Sequence, residues 1–241
     1  MQNPHTSDPT KKQLNIPEAH ANIKPLTMDK LESTMHERLT DIVKEFSDGL
    51  DFIQSFHKSV TFFGSARFPE TNPYYQAARV LAGKLSNNGY TIITGGGPGI
   101  MEGGNRGAYE TGGPSLGLTI ELPFEQITNP YVTGHVGFKY FFIRKVCLTF
   151  SAEAFVYFPG GFGTLDELFE ILTLVQTNKI KRVPIILVGR EYWEPLHNFI
   201  RSTLYDQFKA IDDLDMDLYT ILDDPDTIVD LIKMSPVRFD D

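Results

Sequence analysis

The stretch "YFPGGFGTLDELFE", residues 157–170, runs from apolar residues through three glycines into a helix-like segment carrying Asp166, Glu167 and Glu170. Glycine reaches positive φ and lets other groups approach the backbone closely, so a turn this rich in it bends sharply or leaves room beside the chain. A strand followed by a turn and a helix is the unit from which parallel α/β sheets are built. Free N–H groups and the dipole at a helix start make such a turn an anion site, and a phosphate monoester suits it. Gly160, Gly161 and Gly163 are therefore candidate phosphate contacts; the plainer reading is a tight turn packed on the sheet. Thr164-Leu165-Asp166-Glu167 also has the T-x-x-E form of a capping box, with Thr164 as N-cap and Glu167 bonding back to its N–H. With a phosphate on the turn, Glu167 would instead face the adjoining sugar. The residues leave both readings open.

Outward from this stretch the same alternation recurs. Short apolar runs at 59–64, 90–94, 115–121, 154–159 and 183–189 read as strands. Helical segments are expected over 72–88, 99–111, 137–151, 164–178, 192–208 and 225–234. Apolarity that is continuous rather than alternating marks strands covered on both faces. The fold expected is α/β, a Rossmann-like doubly wound and mainly parallel sheet with helices on both faces. Before it, Leu31, Met35, Leu39, Ile42, Phe46, Leu50 and Ile53 recur at helical spacing, with a break expected near Gly49. The organisation read from this is a disordered tail over 1–27, a helical extension over 28–58 and the α/β domain over 59–241.

Three strand ends carry glycine: "FFGSAR" (62–67), "TGGGPGIMEGGNRGA" (94–108) and "FPGGFGTLDE" (158–167). Ligands of open parallel sheets bind beyond the carboxyl ends of the strands, so these turns belong to one site. A dinucleotide fingerprint begun at Gly97 needs glycine at 102, where Glu102 stands; Glu121, ending the next strand, is the residue that keeps that reading open. No G-K-[ST] follows, which excludes a Walker loop. Upstream of the decisive turn, Arg144 and Lys145 lie in an apolar, aromatic helix. Adjacent helical residues point about 100° apart, so one can snorkel to solvent while the other needs an anionic partner such as Glu167 or a phosphate.

Composition narrows the classes further. A net charge of −9, with no Lys/Arg run longer than two, leaves no basic footprint for nucleic acid or membrane surface. One cysteine, Cys147, excludes an intrachain disulfide and a thiolate zinc cluster, and its apolar surroundings mark it as core. The six histidines lack metal-ligand spacing. With no apolar signal region at the N-terminus and no run near the about 18 residues of a membrane span, the expectation is a cytoplasmic protein.

Pro159–Glu167, as P-G-G-x-G-T-x-x-E preceded by Arg144-Lys145, resembles the signature of the LONELY GUY (LOG) family. "FGSAR", "GGGPGIMEGGNRGA", "LPFEQ" and "NPYVT" resemble its bacterial branch, and the match runs from about Val60 to Trp193. The resemblance implies hydrolysis of the N-glycosidic bond of a nucleoside 5'-monophosphate, AMP or a cytokinin riboside monophosphate, giving free base and ribose 5-phosphate. It also implies a homodimer or higher homo-oligomer and no metal, pyridoxal or nicotinamide cofactor. By the same resemblance Arg144 and Glu167 are the catalytic pair, and Gly160, Gly161, Gly163 and Thr164 hold the phosphate. Gly64, Ser65, Gly96, Gly97, Glu102 and Lys145 are expected as further substrate contacts, Asn105 as a second-rank candidate, and Phe138, Phe141, Phe142 and Met101 as walls around the base. Asp166 and Glu170 are read as solvated or capping residues. The alternative is a non-catalytic nucleotide-binding module of the same fold.

Overall fold

The structure is a computed structural model that describes residues 28–121 and 128–235. The expected tail over 1–27 and the "LPFEQ" motif therefore lie outside the described residues. In chain order the elements are α1 (Met28–Gln54), β1 (Ser59–Phe63), α2 (Pro73–Asn87), β2 (Thr91–Thr94), α3 (Ile100–Glu110), β3 (Ser115–Ile120) and β4 (Gly134–Phe138). They continue with α4 (Phe141–Phe150), β5 (Ala154–Tyr157), α5 (Phe162–Gln176), β6 (Ile185–Leu187), α6 (Arg190–Phe199), β7 (Thr220–Ile221) and α7 (Pro225–Lys233).

The strands form one sheet in the order β4-β3-β2-β1-β5-β6-β7, and every pairing is parallel. This is the expected Rossmann-like fold. Chain order reverses between β1 and β5, which pair from Val60↔Ala154 to Phe63↔Tyr157. A doubly wound sheet opens a crevice at that switch point. The "FFGSAR" and "FPGGFG" turns leave the sheet there, side by side.

Strand apolarity explains the layers. β2 and β5 are buried along their whole length. One face packs Val60, Phe62, Ile92, Val156 and Ile186 against α2, α3 and α7; the other packs Phe155, Tyr157, Ile185 and Leu187 against α5 and α6. Each fully buried side chain of this kind stabilises the fold by about 1.5–3 kcal/mol. Helix starts are chemically marked too: Asn72 caps α2 by accepting from the Tyr74 N–H at 2.8 Å, ahead of Pro73.

Compactness divides the chain between Thr40 and Asp41, inside α1, so 41–54 count with the α/β unit. There Ile42, Phe46, Leu50 and Ile53 pack with Phe138, Ile143 and Cys147. The helix is unbroken at Gly49. Its glycine serves a close approach instead: a Cβ there would lie 2.7 Å from Cys147 Sγ and 2.8 Å from the Phe138 ring. Cys147 is buried, as its surroundings implied.

Two strands escaped the sequence reading. β4, "GHVGF", lies outside the expected strands, and the helix expected over 137–151 takes in only Gly137 and Phe138; the strand carries two glycines and alternates half-buried with exposed up to the buried Phe138, as an edge strand does. β7 has two residues. The helix expected over 192–208 is α6 followed by a π-helical continuation, Ile200–Gln207.

Candidate active site

A cleft of about 890 Å³ opens over the switch point. It is lined by the loop after β1, the glycine turn after β5, the first turns of α5, and by Arg144 and Phe141 of α4. Of the residues singled out in the sequence, Gly64, Ser65, Arg144, Gly160, Gly161, Gly163, Thr164 and Glu167 come together on its wall.

The glycine turn is built unevenly. Helix α5 begins at Phe162, with Gly161 as an N-cap that offers no side-chain hydrogen bond. Thr164 is therefore the third helical residue, and the expected capping box does not form. Gly160 and Gly161 let the chain enter the helix before Thr164, whose hydroxyl lies 2.1 Å from where a Gly160 Cβ would stand. Beside Gly161 and Gly163, by contrast, a Cβ would meet nothing within 4 Å. Room is left over the first free N–H groups of α5, where an anion is favoured.

Glu167 is buried, and Tyr157, fully buried in β5, donates its hydroxyl to the Glu167 main-chain oxygen at 3.2 Å. Burial pushes the Glu167 carboxyl up to about 7, against the pull of Arg144 and Lys145. Arg144 is its complement: burial holds the guanidinium below its usual range while the Glu167 carboxylate opposes that shift. The guanidinium lies 5.3 Å from the Phe141 ring centroid, and its Nε is buried without a hydrogen-bond partner. An unsatisfied charged donor on a cleft wall is costly unless something binds there.

Lys145 turns the other way. Its Nζ reaches Asp166 Oδ2 at 2.8 Å and Glu170 Oε2 at 2.9 Å. Burial alone would depress its pKa, but these two partners raise it. Asp166 and Glu170 are thus counter-ions that tie α4 to α5, rather than free surface acids.

The other candidates stand back from the cleft. Glu102 accepts from the Tyr75 hydroxyl at 3.0 Å. The Gly96 and Gly97 carbonyls accept from Asn129 at 2.9 and 3.0 Å. Asn105 sits in a buried network with Thr94, Ser115 and Asn129. Phe138 is core, whereas Phe141 and Met101 do line the cleft. Glu121 is exposed just beyond β3. Sequence reasoning missed Tyr192, which lines the cleft and donates to the Gly160 carbonyl at 2.6 Å. No spacing signal joins it to the turn, because only the β6–α6 return brings it there. Among the described residues no group of three or more His, Cys, Asp or Glu could hold a metal, and no helix is long and apolar enough to cross a membrane.

Residues 101–232 match the family described as "Possible lysine decarboxylase", and curated relatives from Oryza sativa subsp. japonica and Arabidopsis thaliana carry LOG names. The chain belongs to the LOG family. It is 31% identical over 162 residues to the "Probable cytokinin riboside 5'-monophosphate phosphoribohydrolase LOGL5" of Oryza sativa subsp. japonica, covering 64% of this chain and 63% of that one. It is 27% identical over 158 residues to the cytokinin riboside 5'-monophosphate phosphoribohydrolase of Rhodococcoides fascians, covering 63% and 78%. The X-ray structure of TM1055 aligns with a TM-score of 0.56 at 26% identity, over 73% of this chain and 98% of that one. The molybdenum cofactor carrier protein of Chlamydomonas reinhardtii also has a TM-score of 0.56, at 21% identity over 73% and 96%. That last likeness is one of fold.

Proposed function

We propose that the protein hydrolyses the N-glycosidic bond of a nucleoside 5'-monophosphate, releasing the free base and ribose 5-phosphate. The observation that carries this reading is the pairing of an open glycine turn with a buried carboxylate, Glu167, and a buried cation, Arg144, in one cleft. Family membership and relatives named as phosphoribohydrolases support it.

The 5'-phosphate rests on the N-terminus of α5 over Gly161 and Gly163, where backbone N–H groups and the helix dipole favour it. Glu167, four residues and about 6 Å further along the axis, faces the sugar. As the C1'–N bond breaks, positive charge grows on the ribose. Ionised Glu167 stabilises that charge and orients or deprotonates the water that forms the new C1'–O bond. The departing nitrogen takes the bonding electron pair and is protonated. Arg144 positions the carboxylate or a sugar oxygen through its unpartnered donor. Phosphate binding supplies energy away from the reacting centre, which holds the sugar in a reactive geometry. Phe141 and Met101 are candidate walls for the base. A homodimer is part of the proposal: Phe141, Phe142 and Phe150 of α4 are exposed, and a second copy of the chain is the proposed cover for them.

The test is incubation of purified protein with AMP, other nucleoside monophosphates and isopentenyladenosine monophosphate, with free base and ribose 5-phosphate quantified. Release of both products in equal amounts is expected. Binding without release favours the alternative, a non-catalytic nucleotide-binding module of the same fold.

A further inference from the structure

The cleft lining contains two cations, Arg67 and Arg144, and two carboxylates, Asp166 and Glu167. Arg144 lies beside Glu167, and Asp166 is taken by Lys145. Arg67 is the last residue of the "FGSAR" motif. Its side chain is exposed on the cleft wall, and no residue among those described takes its guanidinium.

The main chain that carries Arg67 is held on both sides. The Ser65 N–H donates to the Pro159 carbonyl at 3.0 Å, joining this loop to the first residue of the glycine turn. The Ser65 carbonyl accepts from the Ile100 N–H at 3.0 Å, at the start of α3. Ser65 Oγ accepts from the Arg67 N–H at 3.1 Å, closing a tight turn. Beyond it the Phe68 ring stacks on Tyr74, with centroids 6.2 Å apart. A long cationic side chain thus springs from a fixed base beside the open face of the phosphate turn. Exposed arginines commonly sweep solvent, but a fixed base and a facing anion site lower the ordering cost of a bidentate contact.

We infer that Arg67 is a substrate-binding residue that grips the 5'-phosphate from the side opposite the α5 N-terminus and selects phosphorylated over unphosphorylated nucleosides. This rests on the phosphate lying on the glycine turn, not on turnover. Helix N–H groups bind an anion but carry only partial charge. A dianionic phosphate beside Asp166 and Glu167 gains from a full cation, and planar arginine matches two phosphate oxygens. The α5 turn still places the phosphate when Arg67 is lost, so this contact adds affinity without setting the sugar's geometry and belongs in KM rather than kcat.

The experiment compares wild type, Arg67→Ala and Arg67→Lys by calorimetric titration with ribose 5-phosphate and with ribose, and by KM and kcat for the best monophosphate. Thermal melting serves as the folding control. Arg67→Ala is expected to weaken ribose 5-phosphate roughly ten-fold and raise KM similarly, with kcat within about two-fold. Arg67→Lys should recover part of the affinity, since a point charge replaces a fork. Unchanged phosphate affinity in a folded Arg67→Ala overturns the inference while leaving the glycosidase reading intact. Weakened binding in a protein that releases no base keeps Arg67 and removes the glycosidase. A wild type that fails to bind ribose 5-phosphate sinks both.

Discussion

The buried Tyr157 hydroxyl donates to the main-chain oxygen of Glu167 at 3.2 Å, so the last residue of β5 fixes the turn of α5 that carries the carboxylate. Strand and helix are thereby coupled at the atom level beneath the cleft. The Glu167 side chain hangs from an anchored backbone rather than from a frayed helix end.

Replacing Glu167 with glutamine should lower kcat by about 10²–10⁴-fold, because the amide keeps the shape and loses the charge. In the wild type, kcat/KM should rise with pH through an apparent midpoint near 7, where burial sets the carboxyl. A monophosphate's own second ionisation near 6 also adds an ascending limb. Setting the pH profile of kcat at saturating substrate against that of kcat/KM separates the bound enzyme's midpoint from the ionisation of the free substrate. A profile that is flat from pH 6 to 8 would count against an ionised Glu167.

The same carboxyl makes a stability prediction whose sign is fixed. Its pKa is raised from 4.5 to about 7 in the fold, so the folded protein holds a proton that the unfolded chain has released between those values. Stability tied to that proton is present below pH 4.5 and lost as pH climbs to 7. Glu167→Gln should therefore be more stable than wild type at pH 8, by up to about 3 kcal/mol, and equal to it near pH 4. Thermal melts at the two pH values decide. An identical difference at both would mean the carboxyl is not strained by burial.

Arg144 is coupled to the same carboxyl. Burial disfavours its charge and its Nε lacks a partner, but Arg144→Met also leaves the buried Glu167 carboxylate without its opposing cation. The variant should therefore melt below wild type at pH 8 and close to it near pH 4, where Glu167 is protonated, while turnover falls by about 10²-fold or more. Loss of folding together with activity would show a structural residue instead.

How much of this was legible depended on where the determining contacts lie. β1, β2 and β5 announced themselves because continuous apolarity requires cover on both faces. β4 did not, since Gly134 and Gly137 dilute its apolar signal and His135 and Gly137 are exposed. The three glycine turns pointed to one edge of the sheet, but only the strand order shows that Gly64 and Gly160 flank the switch point. T-x-x-E spacing suggested a cap at Thr164; glycines just upstream moved the helix start to Phe162. Local pattern could not reveal that shift, nor Tyr192 beneath Gly160, because both are set by tertiary contacts.

Lys145, adjacent to Arg144, should behave differently from it. It bridges Asp166 and Glu170 instead of facing the cleft, and Asp166 is largely exposed, so the bridge contributes modestly. Lys145→Met is expected to cost about 0.5–1 kcal/mol in denaturant unfolding and to leave kcat within a few-fold. A loss matching that of Arg144→Met would put Lys145 in the reaction.

The glycine turn offers the sharpest contrast between folding and binding. A Cβ at Gly160 would stand 2.1 Å from Thr164 Oγ1, whereas one at Gly161 would meet nothing within 4 Å. Gly160→Ala must displace the Thr164 side chain or the turn, and should destabilise by about 1–3 kcal/mol. Gly161 has φ of −97°, which alanine adopts without strain. Gly161→Ala should therefore melt like the wild type. Its methyl would occupy the space over the α5 N–H groups, so ribose 5-phosphate affinity should fall about ten-fold or more. Measuring melting temperature and phosphate affinity on both variants tests the division. If Gly161→Ala binds phosphate normally, the anion does not rest on this turn, and the cleft's chemistry must be assigned to another part of its wall.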